Sequence, residues 1–341
     1  MRRIALILIL FLCIYHVQAQ ELRNTLKEIK NGERINKLIS FRGDNALEYI
    51  PLTVIKGKNP GPVFTIIAGI HGYEYPPIIA VQELMKEIDA TKLRGTLIIL
   101  PITNVASFYK RSPFVNPIDG LNLNNAFPGS VSGSISKQIA HWITKEIIPN
   151  SDVFLDIHGG DANEDLLPFI CYYDNKDGQT EKAKLLSESS GMQYIVSYPY
   201  NLTKNEIAKY AFKQAVQSGT VALSIEAGKL GTVQSENVKL IKNAVYNMLD
   251  YSKMINAKNA TGEIKREYIN EQSYIRVPQK GIFFSSIQSG DSITKNQNLG
   301  YITDEFGKII AQITAPVSGI ILYKIGTPPV NIGETLFCIG H

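Results

Sequence analysis

Runs of consecutive apolar residues alternate along most of the chain with segments in which apolar residues recur every three or four positions. Val63–Ala68 is an unbroken run, typical of a strand buried on both faces. Segment 132–148 instead carries isoleucine at every fourth position, which predicts a helix with one apolar face. The same patterns predict strands over Thr96–Leu100, Asp152–Ile157 and Thr220–Ile225, and helices over Pro76–Ile88, Thr180–Ser190, Asn205–Ser218 and Glu236–Ala257. This alternation predicts an α/β fold, in which a mostly parallel mixed sheet is flanked by helices.

After Thr261-Gly262 the pattern changes to short β-type runs separated by turn residues. No helix-length periodic segment occurs in the remaining sequence, so this part is predicted to be an all-β domain. We therefore expect a larger domain over residues 20–257 and an all-β domain over residues 262–341. The segment Lys258–Gly262 between them has the small and polar residues of a hinge.

Residues 1–19 have the pattern of a secretory signal peptide. Arg2-Arg3 precedes the apolar run Ile4–Ile14, and Val17-Gln18-Ala19 fits a small-residue cleavage site. The run is shorter than the roughly 20 residues that a membrane-spanning helix needs. We therefore expect cleavage and no stable membrane span, with an uncleaved anchor as the alternative. The protein is expected to be exported, either to the periplasm or out of the cell.

The composition is that of a folded globular protein. Of the 341 residues, 44% are hydrophobic and 19% are charged, which is too apolar for a disordered chain. The formal net charge is only +4 and no block of Lys or Arg occurs, so nucleic acid is not an expected partner. Cys171 and Cys338 remain after signal cleavage, and we expect them to be buried thiols. The sequence leaves the oligomeric state open.

The sequence contains five histidines, of which two are candidates for chemistry. His16 lies in the predicted signal peptide and His341 is the last residue. His141 lies two positions from an isoleucine on either side, which is roughly 200° around a helix, so it is expected to face solvent. His71 and His158 remain as candidates for chemistry.

His71 and His158 each follow closely on a predicted strand and stand beside glycine. Open α/β sheets place their ligand sites at the carboxyl ends of strands. Glu74 comes three residues after His71, so one turn can present both side chains to one ion. Two histidines and one glutamate match the ligands of catalytic zinc, and Asp156 can hold the outer imidazole N–H of His158. We expect one Zn²⁺ per chain; a chance surface pairing of His71 with Glu74 is the alternative.

Glu226 directly follows the strand Thr220–Ile225 and precedes Ala227-Gly228. Burying an unpaired carboxylate costs several kcal/mol, so this side chain needs a partner. A water at the metal site is the functional partner. An ion pair with a neighbouring lysine such as Lys229 is the alternative.

A long, turn-rich loop, Asn104–Gly129, follows the strand Thr96–Leu100. Long loops in compact domains commonly carry function, although such a stretch is equally typical of structural Asx turns. Arg111 is a candidate for binding an anionic group, and Asn124 for binding an amide or a carboxylate. The sequence contains no G-x-S-x-G, Walker or C-x-x-C motif that would point to another chemistry.

Together these segments resemble the succinylglutamate desuccinylase/aspartoacylase family, a branch of the zinc carboxypeptidase clan. The matching segments occur in the family's order and at similar spacing: Gly69–Glu74, Asn116–Gly129, Asp156–Gly159 and Ile225–Gly228. Ala315–Ile321 and Pro328–Gly333 resemble the barrel-sandwich, lipoyl-like β-domain of these proteins. The lipoyl attachment turn Asp-Lys-Ala is absent, so a carrier role is not expected.

The resemblance implies a zinc-carboxypeptidase-like fold in which His71, Glu74 and His158 bind Zn²⁺. It also implies that Glu226 is the general base, which takes a proton from water and returns it to the leaving amine. The metal, assisted by Arg111, would stabilise the oxyanion.

Two positions depart from the family's pattern. The family's loop ends Asp-Leu-Asn-Arg, and that arginine clamps a substrate carboxylate; here Asn125 stands in its place, next to Asn124. Asparagine keeps hydrogen bonding but loses the charge and the bidentate fork. Phe114 occupies the position of the family's other arginine, so that role is assigned to Arg111, one turn upstream. Substrate binding is accordingly expected from Asn124, Asn125 and Arg111.

The leading hypothesis is an exported zinc hydrolase that cleaves an amide bond, in an N-acyl amino acid or a related small molecule. A carboxypeptidase or cell-wall peptide amidase is the second hypothesis, since the same site would serve a peptide substrate. A binding protein that has kept the scaffold without catalysis is the third, because of Asn125 and Phe114.

Overall fold

The computed structural model describes residues 22–42, 47–256 and 265–341. The predicted signal peptide, residues 1–19, and the whole of the predicted hinge, Lys258–Gly262, lie outside these ranges. The larger part of the molecule is built on one nine-stranded mixed sheet, in which five of the eight strand pairs are parallel. The prediction of a mostly parallel mixed sheet flanked by helices is confirmed.

The sheet runs, in spatial order, through β1 (Glu33–Arg42), β2 (Leu47–Lys56), β4 (Arg94–Leu100), β3 (Asn59–Ala68), β5 (Val153–His158), β9 (Val221–Glu226), β7 (Phe169–Asp174), β8 (Tyr194–Pro199) and β10 (Glu267–Ile269). The helices are α1 (residues 22–28), α2 (Tyr75–Glu87), α3 (Val105–Lys110), α4 (Leu123–Ala126), α5 (Ile135–Trp142), α6 (Gly178–Ser189), α7 (Ala211–Gln217) and α8 (Ser235–Tyr251). None of the helices within the described ranges combines the length and the apolar character that crossing a bilayer requires.

Apolar layers cover both faces of the sheet. On one face Leu84 of α2 and Met248 of α8 pack in the same cluster as Leu155 of β5. On the other face Ile139 of α5 packs in the same cluster as Phe154. Phe154 and Leu155 are neighbours in one strand and therefore point to opposite faces. The unbroken apolar runs of the sequence arise because the central strands are buried on both sides.

The helix limits differ from the predicted ones where polar side chains form turns. Helix α7 begins at Ala211, six residues after the predicted start at Asn205. Before it, the backbone N–H and the hydroxyl of Thr203 both donate to Glu206 Oε2, at 2.8 Å each, and close a separate turn. Helix α5 continues as a π-helical turn over Ile143–Ile147, so the predicted 132–148 segment is helical from residue 135 onward.

The C-terminal part forms two antiparallel sheets that share one core, in which Phe283 and Phe337 meet edge to face at 5.7 Å. One sheet contains β11 (Gln272–Arg276), β18 (Thr335–Gly340), β16 (Gly319–Ile325) and β13 (Ser292–Ile293). The other contains β15 (Ile309–Thr314), β14 (Asn298–Thr303), β12 (Gly281–Phe284) and β17 (Pro329–Val330). The described C-terminal residues contain no helix, as the sequence predicted.

The two parts of the molecule exchange strands. Strand β6 (Glu164–Leu166), from the larger part, pairs with β16 in the C-terminal sheet. Strand β10, which follows the predicted boundary at residue 262, instead pairs with β8 in the large sheet. Since each part supplies a strand to the other, the C-terminal sheets are fixed against the large sheet.

Cys171 on β7 and Cys338 on β18 are both buried free thiols, as the sequence predicted. Burial raises the pKa of each thiol above its ordinary value. Both cysteines therefore behave as small apolar side chains in this fold.

Replacing Leu223 by alanine tests the packing of the central strands. Leu223 on β9 is 0% exposed, whereas Leu38 on the edge strand β1 is 60% exposed. We expect Leu223→Ala to lower the free energy of unfolding by about 2–5 kcal/mol, because it leaves a cavity between sheet and helices. Leu38→Ala is the matched control and should change it by less than about 0.5 kcal/mol. Urea unfolding followed by circular dichroism measures both; equal losses would contradict this assignment of the core.

Candidate active site

Three neighbouring parallel strands end at the same edge of the sheet and bring the candidate residues together. His158 and Glu226 are the last residues of β5 and β9, and they are paired directly in register. His71 follows the end of β3 by three residues, after a turn in which Gly69 has φ +67°. A left-handed φ strains most side chains, so glycine suits this turn. The predicted grouping of His71, His158 and Glu226 is therefore what the fold produces.

Glu74 lies between the two imidazole rings. Its Oε1 is 2.7 Å from His71 Nδ1 and its Oε2 is 3.0 Å from His158 Nδ1. The side chain of Glu74 is only 2% exposed, and the ring centroids of the histidines are 5.2 Å apart. Each imidazole thus turns the same nitrogen, Nδ1, toward one buried carboxylate.

Asp156 lies on the far side of the His158 ring. Its Oδ1 lies 3.1 Å from His158 Nε2, and Asp156 is 0% exposed. A carboxylate on the outer nitrogen fixes the orientation of the ring and makes the inner nitrogen a better ligand. Asn122 does the same for the other ring, since its Oδ1 lies 3.2 Å from His71 Nε2.

The charges of this group depend strongly on one another. Burial opposes the ionisation of Glu74, but His158 and His71 outweigh it and lower the pKa of Glu74 to about 2. Burial likewise opposes a charge on His71, but Glu74 outweighs it and raises the pKa of His71 to about 8. Asp156 and Glu74 also raise the pKa of His158 well above its ordinary value, against the effect of burial. The carboxylates therefore create a site at which positive charge accumulates.

The pKa of Glu226 is shifted in the opposite direction from that of Glu74. Burial, reinforced by Glu74, Glu164 and Asp156, raises the pKa of Glu226 to about 8, although His158 acts against this. The alternative ion pair with Lys229 is not formed, because Lys229 Nζ lies 3.6 Å from Asp165 Oδ1 instead. Glu226 is a carboxyl group that holds its proton unless a cation lies close by.

The predicted substrate residues on the long loop separate into one that lines the site and two that do not. Asn124 is 4% exposed, lines the cavity beside the histidines, and accepts a hydrogen bond of 3.3 Å from the N–H of Ala211 through its Oδ1. Its neighbour Asn125 is exposed and lies outside the cavity lining. Successive residues of helix α4 point about 100° apart, which places Asn124 and Asn125 in different surroundings.

Arg111, the third residue predicted to bind substrate, also lies outside the cavity lining. Arg111 ends helix α3 in a left-handed conformation, with φ +52°, and its side chain is exposed rather than part of the cavity lining. Phe114 lines the cavity instead, in a loop fixed by a hydrogen bond of 2.9 Å from its N–H to Asp161 Oδ2.

The site opens into a cavity of about 520 Å³ whose far wall comes from the C-terminal part. The aromatic residues of its lining are Phe114, Phe169, Tyr198, Tyr210, Phe212, Tyr274 and Tyr323. The C-terminal wall consists of Tyr274, Leu322, Tyr323, Ile325, Glu334, Thr335 and Cys338. The sequence did not indicate these residues, because no local motif connects them with histidines more than 100 positions away.

His71, Glu74 and His158 are suited to holding a metal ion. One ligand atom from each residue lies within 4.8 Å of the others, and this is the one such group found in the described ranges. Two imidazoles and a carboxylate are the ligand set of many catalytic zinc sites. The buried carboxylates and the raised pKa values of both histidines show that this position favours a cation.

Comparison with known proteins agrees with this geometry. The N-alpha-acetyl-L-2,4-diaminobutyric acid deacetylase of Halomonas elongata is 27% identical over 299 residues, which are 86% of this chain and 85% of that protein. A succinylglutamate desuccinylase/aspartoacylase from Rhodobacter sphaeroides has a similar structure, with a TM-score of 0.82 at 22% identity, over 92% of this chain and 97% of that one. The product-bound ectoine utilization protein EutE (DoeB) from Ruegeria pomeroyi gives the same TM-score and coverage at 21% identity.

The family assignment follows from the catalytic part of the chain. The family model of the succinylglutamate desuccinylase/aspartoacylase catalytic domain matches residues 60–252. This range includes both histidines, Glu74 and Glu226, and it is more than half of the 341 residues. The chain therefore belongs to the succinylglutamate desuccinylase/aspartoacylase family.

Proposed function

We propose that this protein is a zinc-dependent hydrolase that removes the acyl group from a small N-acylated amine or amino acid. The observation that carries the proposal is the convergence of His71 Nδ1 and His158 Nδ1 on the buried carboxylate of Glu74, with Glu226 paired beside His158. Three metal ligands, together with one further carboxyl group that is not a ligand, provide what metal-assisted hydrolysis of an amide requires.

His71, Glu74 and His158 are the residues that would hold the zinc ion. Bound there, zinc would polarise the scissile carbonyl and lower the pKa of water towards roughly 7. Asp156 and Asn122 keep the two imidazole rings in place by contacting their outer nitrogens, so the ligand atoms need little rearrangement.

Glu226 is the group that moves the proton. A nearby cation lowers the pKa of a carboxyl group, so Glu226 loses its proton when a cation occupies the site. The carboxylate then accepts a proton from the attacking water and delivers it to the nitrogen of the leaving amine, which would otherwise depart as a poor leaving group. Because Glu226 ends a central strand of the sheet and lines the cavity, its carboxyl group stays beside the site.

The size of the cavity and the relatives support a small substrate. A cavity of about 520 Å³ is in the range of small-molecule sites. The related protein of Halomonas elongata is named as a deacetylase, which makes acetyl the first acyl group to test. We also propose export to the periplasm or out of the cell, on the basis of the sequence pattern of residues 1–19.

Zinc content is the first test of the proposed cofactor. We expect about one zinc ion per chain in the wild-type protein and loss of most of it in His158→Ala, because a ligand is removed. His141→Ala is the matched control, since His141 lies on α5 outside the cavity, and it should retain the ion. Mass spectrometry of the metals in dialysed protein measures all three. Equal zinc in both variants would contradict the assignment.

Asp156→Asn tests the support of the metal ligands. The change keeps the size of the side chain but removes the charge facing His158 Nε2, so zinc affinity should fall by about 10- to 100-fold. Asp165→Asn is the control, because Asp165 pairs with Lys229 and Ser289 and does not contact the histidines. Competition with a fluorescent zinc chelator gives both affinities. Unchanged affinity in Asp156→Asn would show that this contact does not support the site.

Glu226→Gln separates proton transfer from metal binding. Glutamine fills the same space but cannot accept the proton, so kcat on an N-acetyl substrate should fall by at least about 10²-fold while zinc remains bound. Release of acetate measures the activity, and metal analysis of the same sample is the control. A Glu226→Gln variant with wild-type turnover would overturn the proposed role of this residue.

A further inference from the structure

The lining of the cavity is acidic. Its lining includes five carboxyl side chains: Glu74, Asp156, Glu164, Glu226 and Glu334. Neither Lys nor Arg occurs among the described residues that line it. A zinc ion would bring two positive charges to this group, which is fewer than the carboxylates present. The interior of the cavity therefore carries negative potential even when the metal site is filled.

Glu164 is the one of these carboxyl groups that lies close to the metal ligands and has no part in the proposed chemistry. It begins β6, the strand by which the larger part joins the C-terminal sheet, and it is paired there with Ile325. Its Oε2 accepts a hydrogen bond of 2.9 Å from the N–H of Asp161. Within the described part of the chain no donor is hydrogen-bonded to Oε1, so this oxygen is available to a ligand in the cavity.

Glu164 lines the cavity and interacts electrostatically with titratable groups on both sides of it. It contributes to raising the pKa of Glu226 and of His71 at one end, and that of Tyr323 on the C-terminal wall at the other. Burial raises the pKa of Glu164 itself to about 7. A positively charged ligand group beside it would relieve this cost, because an opposite charge stabilises the carboxylate.

Aromatic rings complete the surroundings. Tyr198, Tyr210, Phe212 and Tyr274 line the cavity together with Tyr323. The faces of aromatic rings carry negative potential, and amino groups bind to them favourably. A carboxylate in a cavity lined by aromatic rings is the chemistry that recognises a substituted ammonium group.

None of the described residues that line the cavity is a lysine or an arginine that could bind a substrate carboxylate. Asn125 and Arg111 lie outside the lining, and Phe114 occupies the wall. Arg276 lies on the C-terminal side, with its guanidinium 5.7 Å from the ring centre of Tyr274 and hydrogen-bonded to Thr335. Its side chain is exposed, so it can reach a group at the mouth of the cavity but is not part of the interior.

We propose, building on the proposed function, that Glu164 binds a positively charged amino group of the substrate. The substrate class is then an N-acylated amine that carries a second, free amino group on its leaving part. A free carboxylate at the same position would meet Glu164 and Glu226 and be repelled. The C-terminal wall takes part in this selection, since Tyr274 and Tyr323 enclose the side opposite the metal ligands.

The test compares three ligands of nearly equal size that share one acetyl group: monoacetyl diaminopropane, N-acetylbutylamine and N-acetyl-β-alanine. Their far ends are positive, neutral and negative. Calorimetry gives the dissociation constants in two proteins that do not turn the ligands over, the metal-free wild type and zinc-loaded Glu226→Gln. In both, we expect the positive ligand to bind about tenfold more tightly than the neutral one, and the negative ligand to bind most weakly.

Glu164→Gln should remove the advantage of the positive ligand and leave the neutral ligand within about twofold of its original affinity. Glutamine retains an oxygen to accept the N–H of Asp161, so a purely structural role would affect all three ligands alike. Glu334→Gln is the matched control, since Glu334 accepts hydrogen bonds from the N–H and Nδ2 of Asn331 and should change the order little. Arg276→Gln shows whether a carboxylate is bound at the mouth.

The tightest binding by the negative ligand, especially if lost in Arg276→Gln, would overturn the proposal. A positive preference that survives in Glu164→Gln, or disappears equally in Glu334→Gln, would overturn the role of Glu164. Turnover of the three compounds by the zinc-loaded wild type is measured separately. If none is hydrolysed while the order of affinities holds, the proposed hydrolysis fails and the cation subsite stands. If the compounds are hydrolysed but the order of affinities is reversed, the proposed hydrolysis stands and the cation subsite fails.

Discussion

The buried carboxylate of Glu74 between two imidazole rings is the interaction on which the site depends. A carboxylate that is 2% exposed is stable only if positive charge lies next to it, and His71 and His158 supply that charge or give way to a metal ion that does. The rings are in turn fixed from outside by Asn122 and Asp156. The site therefore holds its geometry through charge balance within a rigid sheet.

The parallel register of the central strands provides the rigidity. Because β3, β5 and β9 run in the same direction and end together, a histidine and a glutamate at two strand ends become direct neighbours. The exchange of β6 and β10 between the two parts then fixes the C-terminal sheets over this edge. The sheet edge that carries the site becomes one side of a half-open cavity, in which charges are partly shielded from water and interact more strongly than in bulk solvent.

The partial shielding of this cavity from water connects the proposed chemistry with the proposed selectivity. The same burial that raises the pKa of Glu226 to about 8, and so reserves its proton acceptance for the cation-filled site, also makes Glu164 favour a positively charged neighbour. A single acidic cavity would thus serve both the proposed metal ion and, further along, the proposed amino group of the substrate.

The sequence is enough to identify those site residues whose partners are close along the chain, or which lie at strand ends. His71 and Glu74 share one turn, Asp156 and His158 share one strand, and apolar runs marked the strands that carry them. Only the tertiary structure shows that Arg111 and Asn125 lie outside the cavity lining and which residues form the wall near Glu164. Whether a loop residue faces inward depends on how its turn packs, and a wall more than 100 residues away forms only when strands are exchanged. Local patterns contain neither kind of information, because both arise from contacts between distant parts of the chain.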